Sequence, residues 1–284
     1  MTTPGGACVI TGANSGIGRA AATELARMGL NLVLVCRDRD KGEETVSELK
    51  ESGAKGSLDL EIADLSSLDA VRGLAEDLVA KHPLLNVLIN NAGRVSLRRS
   101  VTPDGYETTF EVNYLAPFLL TNLLLGTLKA NAPSRIVNVS SVAHYSGHIR
   151  FDDLQAEKGY SGLGAYAQSK LALVIFTREL ATRLQGTGVI VNCLHPGAVS
   201  TNIWDRGAGP FAFIMALPKL FMISPEKGAE TVVYLATSPE VTDSGAYFEK
   251  RRVKRSSEES YDKAVAERLW DVSAQLTRLD GSSA

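Results

Sequence analysis

Tyr166 and Lys170 stand four residues apart and form the pair in this sequence best suited to proton transfer. On a helix, residues at that spacing share a face. A free tyrosine, with a pKa of about 10, is a poor base at neutral pH. An ammonium beside it favours the phenolate and lowers that value. Such a phenol can take a proton from an alcohol or give one to a carbonyl. The pair Ser140-Ser141 closes an apolar run, where a hydroxyl could hold a substrate oxygen near the phenol. A second chemistry lies near the start, in Thr11-Gly12-Ala13-Asn14-Ser15-Gly16-Ile17-Gly18. Gly12 can take a turn closed to residues with a Cβ. Gly16 lets the backbone approach a pyrophosphate, and Gly18 lets the next helix pack close to the sheet. Asn14, Ser15 and Ile17 complete the turn, and the free N–H groups and positive dipole end of the helix hold the anion.

These groups need elements to carry them. Ala7–Thr11 reads as a strand and Gly16–Met28 as a helix, the context a phosphate turn requires. Asn31–Arg37 is a continuous apolar strand, the pattern of burial on both faces. The alternation continues with strands at Ser57–Ile62, Asn86–Asn90, Arg135–Ser141, Val189–Leu194 and Ala246–Glu249. Helices are expected at Lys41–Ser52, Ser67–Ala80, Pro103–Ala130, Gly164–Leu184, Pro225–Thr237 and Glu258–Leu276. Strand–helix alternation implies an α/β fold: a Rossmann-type doubly wound parallel sheet of about seven strands, helices on both faces. No linker divides the chain, so residues 1–284 read as one dinucleotide-binding domain. The charged run Glu249–Glu259 reads as a solvated connection rather than a basic patch for phosphate or membrane.

The second strand ends in Arg37, where an acidic residue would accept bonds from the free 2′-OH of NAD. A guanidinium instead offers a donor fork to a 2′-phosphate, so the expected cofactor is NADP(H). Asp38 follows and could reclaim a 2′-OH, while Lys41 and Arg19 are lesser candidates for the same phosphate. Composition narrows the partners. Thirty Lys+Arg against thirty-two Asp+Glu give a net charge of −2, without the basic footprint of a nucleic-acid binder. Cys8, Cys36 and Cys193 are far apart in apolar runs and read as reduced core residues. Neither they nor His82, His144, His148 and His195 show a metal-ligand spacing, so no metal is expected. Of these, His144 and His148 lie between Ser141 and Tyr166, with surface or supporting roles favoured over substrate contact. No apolar run reaches the ~18 residues of a membrane span, no signal peptide is visible, and a cytoplasmic location is expected.

The order of the motifs carries a resemblance. After TGxxxGxG come Asn90-Asn91-Ala92-Gly93, Asn113, Ser140-Ser141, Tyr166-Ala-Gln-Ser-Lys170 and His195-Pro196-Gly197. In this order the chain resembles the short-chain dehydrogenase/reductase family over nearly its whole length. Val35-Cys36-Arg37-Asp38, Val139-Ser140-Ser141-Val142-Ala143-His144, Gly245-Ala246-Tyr247-Phe248 and Leu269-Trp270 resemble its retinol dehydrogenase-like branch. That branch acts on apolar carbonyl/alcohol pairs. Unlike its animal members, which commonly carry an N-terminal membrane anchor, this chain is expected to lack one.

The resemblance implies a catalytic set of Asn113, Ser141, Tyr166 and Lys170. Ser141 is the family's choice over Ser140, Lys170 also binds the nicotinamide ribose, and Asn113 interrupts its helix and holds a water linking Lys170 to solvent. Asp64 and Leu65 should meet the adenine. Asn90, Ala92 and Gly93 should line its ribose and the cleft floor. Pro196, Gly197, Val199 and Thr201 should meet the nicotinamide end. It also implies a homodimer or homotetramer formed by pairing the Pro103–Ala130 and Gly164–Leu184 helices. Residues 202–223, rich in Trp, Phe, Met and Leu, are placed to act as a lid over an apolar substrate pocket. A dimer contact and a shallow membrane anchor are the competing readings. The reaction expected is hydride transfer between nicotinamide and a hydrophobic aldehyde, ketone or alcohol, retinal- or steroid-like or otherwise apolar. The alternative is a non-catalytic NADP-binding sensor or scaffold on the same fold.

Overall fold

The structure, a computed structural model, describes residues 5–197 and 223–279. Strand β2 (Asn31–Cys36) shows how the sequence makes the sheet. After Asn31 its five residues are all apolar and all buried. Val33 and Val35 enter the core on one face; Leu32, Leu34 and Cys36 enter the core on the other. A strand covered twice needs no polar alternation. Its partners are β1 (Ala7–Thr11), β3 (Leu58–Ile62), β4 (Leu85–Asn90), β5 (Ser134–Val139), β6 (Val189–His195), β7 (Tyr247–Glu249) and β8 (Arg252–Lys254). They form one sheet in the order β3-β2-β1-β4-β5-β6-β7-β8. The pairs through β7 are parallel, and β8 turns back antiparallel on β7. Strand order reverses between β1 and β4. In doubly wound sheets the ligand crevice opens there, outside the carboxyl ends of the strands.

Helices α1 (Gly16–Arg27) and α2 (Arg39–Glu51) cover one face, together with the helix at Pro225–Thr237. The other face carries α3 (Leu68–Lys81), then a composite helix and two more. The composite helix consists of α4 (Thr108–Phe110), a π turn (Glu111–Leu115) and α5 (Ala116–Ala130). It is followed by α6 (Gly162–Arg183), α7 (the Pro225–Thr237 helix) and α8 (Lys263–Leu276). Among the described residues no helix is long and apolar enough to cross a membrane.

Two features depart from the sequence reading. The expected helix Pro103–Ala130 begins only at Thr108, because Gly105 turns the chain at φ +88 and Glu107 caps the helix through Thr109 and Phe110. The sheet has eight strands, not seven: the charged run folds back at Lys250 and Arg251, both at positive φ, and pairs as β8. Helix α8 packs on α5 and α6. Trp270 lies 5.2 Å from Phe118 and 5.8 Å from Phe176, and Tyr114 shares a 2.7 Å hydrogen bond with Ser273.

Candidate active site

The glycine turn is built by close approach. Gly12 and Gly16 sit at φ +67 and +50, where residues with a Cβ are strained. A Cβ on Gly18 would lie 2.2 Å from the Gly12 carbonyl oxygen and 2.4 Å from Asn91 Nδ2. Asn91 is the clamp: its amide donates to the carbonyls of Thr11 (2.8 Å) and Gly12 (3.2 Å). In return, Thr11 Oγ1 accepts from the backbone N–H groups of Asn91 and Ala92, each at 3.0 Å. The turn after β1 is thereby tied to the end of β4, at the reversal of the sheet. Ser15 heads α1 in an extended conformation and its side chain makes no capping bond. A helix start without its own cap, behind a turn of three glycines, fits a pyrophosphate.

At the other end of the crevice, Arg37 directly follows β2. It is exposed and has no ion pair or hydrogen bond among the described residues. The competitors are occupied. Asp38 caps α2, accepting from Lys41 N at 3.2 Å and pairing with Lys41 Nζ at 3.0 Å. The hydrogen bond from Lys41 holds that carboxyl below its usual range. Arg19 pairs with Glu48 at 2.8 Å. Asp64 lies two residues beyond β3, exposed, its carboxylate accepting from Ser66 N and Oγ at 3.0 and 2.7 Å; Leu65 beside it is buried. Asn90 is also buried, and its amide donates to Thr121 Oγ1 (3.0 Å) and Asn138 Oδ1 (2.9 Å). Its side chain belongs to this internal network, so only its backbone can line the crevice. Ala92 and Gly93 follow it, half-buried.

Asn113 and Lys170 meet at Gly93, and Ser141 and Tyr166 meet each other through a side-chain hydrogen bond. Tyr166 and Lys170 come from α6, where Ser161 caps the helix. Ser141 caps the 3-10 turn Val142–Ser146 after β5, its Oγ accepting from Ala143 N at 3.2 Å. Asn113 lies in the π turn, fully buried. Its amide donates to Arg94 O and Ser169 Oγ, each at 3.0 Å, and accepts from Arg94 N at 2.8 Å. A Cβ on Gly93 would stand 3.3 Å from Asn113 Oδ1 and 3.4 Å from Lys170 Nζ. Lys170 Nζ is buried, donates to Val139 O at 2.9 Å and lies 5.7 Å from the centre of the Tyr166 ring.

The electrostatics differ from the simplest expectation. Burial pushes the Tyr166 phenol above its ordinary value, and a hydrogen bond with Ser141 only partly offsets it. Burial also pulls Lys170 down to about 8. The ammonium points to Val139 O instead of at the phenol oxygen, so it does not by itself make the phenol acidic. In this state Tyr166 keeps its proton at neutral pH, the form that donates to a carbonyl oxygen. The same π turn buries Glu111, which accepts from Thr102 Oγ1 and whose carboxyl is pushed up to about 8 by burial.

Several supporting residues escaped the sequence reading. Asn91 lies inside Asn90-Asn91-Ala92-Gly93, but only the β1–β4 register turns its amide onto the glycine turn. Ser140 Oγ donates to Lys170 O at 2.9 Å, bracing α6, and Ser169 anchors Asn113. His144 is buried behind Ser141, whereas His148 is exposed and bonds Glu259. At the nicotinamide end Pro196 and Gly197 follow β6, with Gly197 at φ +100 and its Cβ position 2.4 Å from Ile223 Cδ1. Val199, Thr201 and the lid segment apart from Ile223 lie outside the described residues.

A dinucleotide turn at the sheet reversal and a Ser-Tyr-Lys-Asn set at the carboxyl ends of β4 and β5 define a nicotinamide-dependent oxidoreductase. The profile described as short chain dehydrogenase matches residues 7–208, and the chain belongs to the short-chain dehydrogenase/reductase family. It falls in the retinol dehydrogenase-like branch. Retinol dehydrogenase 13 of Homo sapiens is 44% identical, over 99% of this chain and 87% of that one. Retinol dehydrogenase 14 of Mus musculus is 45% identical, over 93% and 84%. Among solved structures, an uncharacterised protein from Mycobacterium paratuberculosis superposes with a TM-score of 0.76 at 33% identity, over 96% of this chain and 93% of that one. L-sorbose reductase from Gluconobacter frateurii, complexed with NADPH and L-sorbose, gives 0.70 at 25% identity, over 86% and 94%. The chain is an enzyme of the class acting on CH–OH donors.

Proposed function

We propose that the chain is an NADP(H)-dependent dehydrogenase/reductase of hydrophobic aldehydes, ketones or alcohols. The observation that carries this reading is a chain of contacts: Ser141 bonds Tyr166, the Tyr166 ring lies 5.7 Å from Lys170 Nζ, and Lys170 and Asn113 meet at Gly93. The coenzyme, when bound, supplies the hydride exchanged with the carbonyl carbon. Gly12, Asn14, Ser15, Gly16, Ile17 and Gly18 would hold its pyrophosphate, and Asp64, Leu65, Asn90, Ala92 and Gly93 its adenosine half. Lys170, Tyr166, Pro196, Gly197, Val199 and Thr201 would meet the nicotinamide half. The choice of NADP(H) is supported by a free guanidinium at Arg37 beside an Asp38 already occupied by Lys41. Two related solved structures, one from Beutenbergia cavernae and one of a metagenomic short-chain oxidoreductase, hold NADP.

In reduction, Ser141 Oγ and Tyr166 Oη hold the carbonyl oxygen. Ser141 Oγ accepts from Ala143 N and keeps a proton to donate, which it can turn from Tyr166 to the carbonyl oxygen. Tyr166 transfers its proton as charge builds on the oxygen, and Lys170, fixed by Val139 O, places positive charge under the resulting phenolate. Oxidation runs the same path backward. An apolar substrate is supported by Val142, Tyr145 and Leu163, large hydrophobic side chains about half exposed next to Ser141 and one turn before Tyr166. The test is NADPH oxidation with a panel of apolar aldehydes and ketones, using the native chain and Tyr166→Phe. The native chain should turn over while the variant falls by at least ~1,000-fold and still binds NADPH. Full activity in Tyr166→Phe would overturn the mechanism, and a preference for NADH would overturn the coenzyme choice.

A further inference from the structure

His144 lies directly behind Ser141 and has no part in the scheme above. It is fully buried, and both ring nitrogens are engaged. Ser257 donates its backbone N–H to Nε2 at 3.2 Å. Nε2 must therefore carry the lone pair, which leaves the ring proton of the neutral imidazole on Nδ1. Nδ1 faces the Ser141 carbonyl oxygen at 2.7 Å, so it donates there. That same carbonyl also accepts from the backbone N–H of His144 at 3.1 Å. One residue thus grips the main chain of Ser141 twice.

The grip has a firm base. The ring centre of His144 lies 4.0 Å from that of Tyr145 and 4.6 Å from that of Tyr247 on β7. Tyr145 Oη donates to Arg255 O at 2.6 Å, and Ile149 N donates to Glu259 at 2.8 Å. The segment after β8, residues 255–259, is stitched by these bonds to the loop that holds the serine. Ser141 itself stands where β5 gives way to a 3-10 turn, without a strand neighbour to fix its carbonyl.

We propose that His144 is a positioning residue: as a neutral imidazole oriented by Ser257, it fixes the Ser141 backbone and so aims the Ser141 hydroxyl at the Tyr166 oxygen. The proposal rests on the oxidoreductase reading. Misplacement of a reacting group by about 1 Å costs on the order of 100-fold in rate. In His144→Ala the backbone N–H still reaches the Ser141 carbonyl, so the turn survives with one tether of two.

Two further variants separate the tethers. An Asn side chain places its amide near the former Nδ1 and can donate to Ser141 O. A Gln side chain reaches the former Nε2 position and can accept from Ser257 N. The experiment measures kcat, KM and NADPH affinity for the native chain, His144→Ala, His144→Asn and His144→Gln with the best apolar carbonyl. Expected is a kcat loss of roughly 10- to 100-fold in His144→Ala, with NADPH affinity unchanged within about twofold. His144→Asn recovers most of kcat, and His144→Gln does not. A native kcat in His144→Ala, or His144→Asn no faster than His144→Gln, overturns the proposal. The Asn/Gln comparison decides the matter even where His144→Ala fails to fold. No turnover by the native chain would instead refute the oxidoreductase reading, and the proposal with it.

Discussion

Lys170→Met separates stability from activity. The native ammonium is buried and held by one described hydrogen bond, to Val139 O. Burial lowers its pKa from 10.5 to about 8. At about 1.4 kcal/mol per unit, the difference of 10.5 − 8 = 2.5 means that folding disfavours the charged form by about 3 kcal/mol at neutral pH. Methionine removes that penalty but leaves the Val139 carbonyl unpaired, at a cost of about 1–2 kcal/mol. Lys170→Met should therefore be about 1–2 kcal/mol more stable than the native chain at pH 7, while losing at least ~100-fold in turnover. The pH dependence provides a second reading. The folded-state pKa lies below the unfolded one, so between pH 8 and 10.5 the unfolded chain binds more protons. Native stability gains across that window as the buried group neutralises, and Lys170→Met lacks the gain. Its advantage should shrink as pH rises. Urea unfolding at pH 7 and pH 9.5 measures both effects. A variant less stable than native at pH 7, or one whose advantage does not shrink, refutes the reasoning.

Gly18→Ala forces a Cβ to within 2.2 Å of the Gly12 carbonyl oxygen. It should lower stability by about 1–3 kcal/mol and weaken NADPH binding roughly tenfold, read as a smaller NADPH-induced rise in Tm. Arg37→Asp should reduce the NADPH-to-NADH ratio of kcat/KM by about 100-fold, since it replaces a charge-assisted phosphate contact with repulsion; an unchanged ratio would show that Arg37 does not read the 2′-phosphate. Glu111, with a folded-state pKa of about 8 against an ordinary 4.5, holds a proton that the unfolded chain has lost between those values. Its contribution is full below pH 4.5 and disappears as pH rises through 8, so Glu111→Gln should flatten the loss of stability between pH 5 and 8, by at most about 5 kcal/mol.

The parallel sheet was legible because strands such as β2 are apolar at every covered position, a pattern local to the strand. The Tyr166–Lys170 pair was legible for a similar reason: helical spacing alone puts both on one side of α6. What sequence could not give depends on contacts across space. Asn90 and Asn91 are adjacent and chemically identical, yet one amide enters an internal network and the other clamps the glycine turn; pairing of β4 with β1 decides which. The interruption that the resemblance implied at Asn113 is a π turn, a geometry that the helical spacing of the run does not specify. Strand β8 is exposed at all three positions and charged at two, Arg252 and Lys254, so a single Val253 makes no hydrophobic period and only β7 beside it makes it a strand. Nothing near His144 in sequence announces Ser257, more than a hundred residues away.

The docking of Trp270 between Phe118 and Phe176 bears on how the protein can be shortened or extended. A polypeptide cut before Lys263 would lay those rings open to water on the flank of α5 and α6, inviting precipitation or adhesion to another copy. The carboxyl-terminal helix is thus part of the hydrophobic interior, and any appended tag has to begin beyond it.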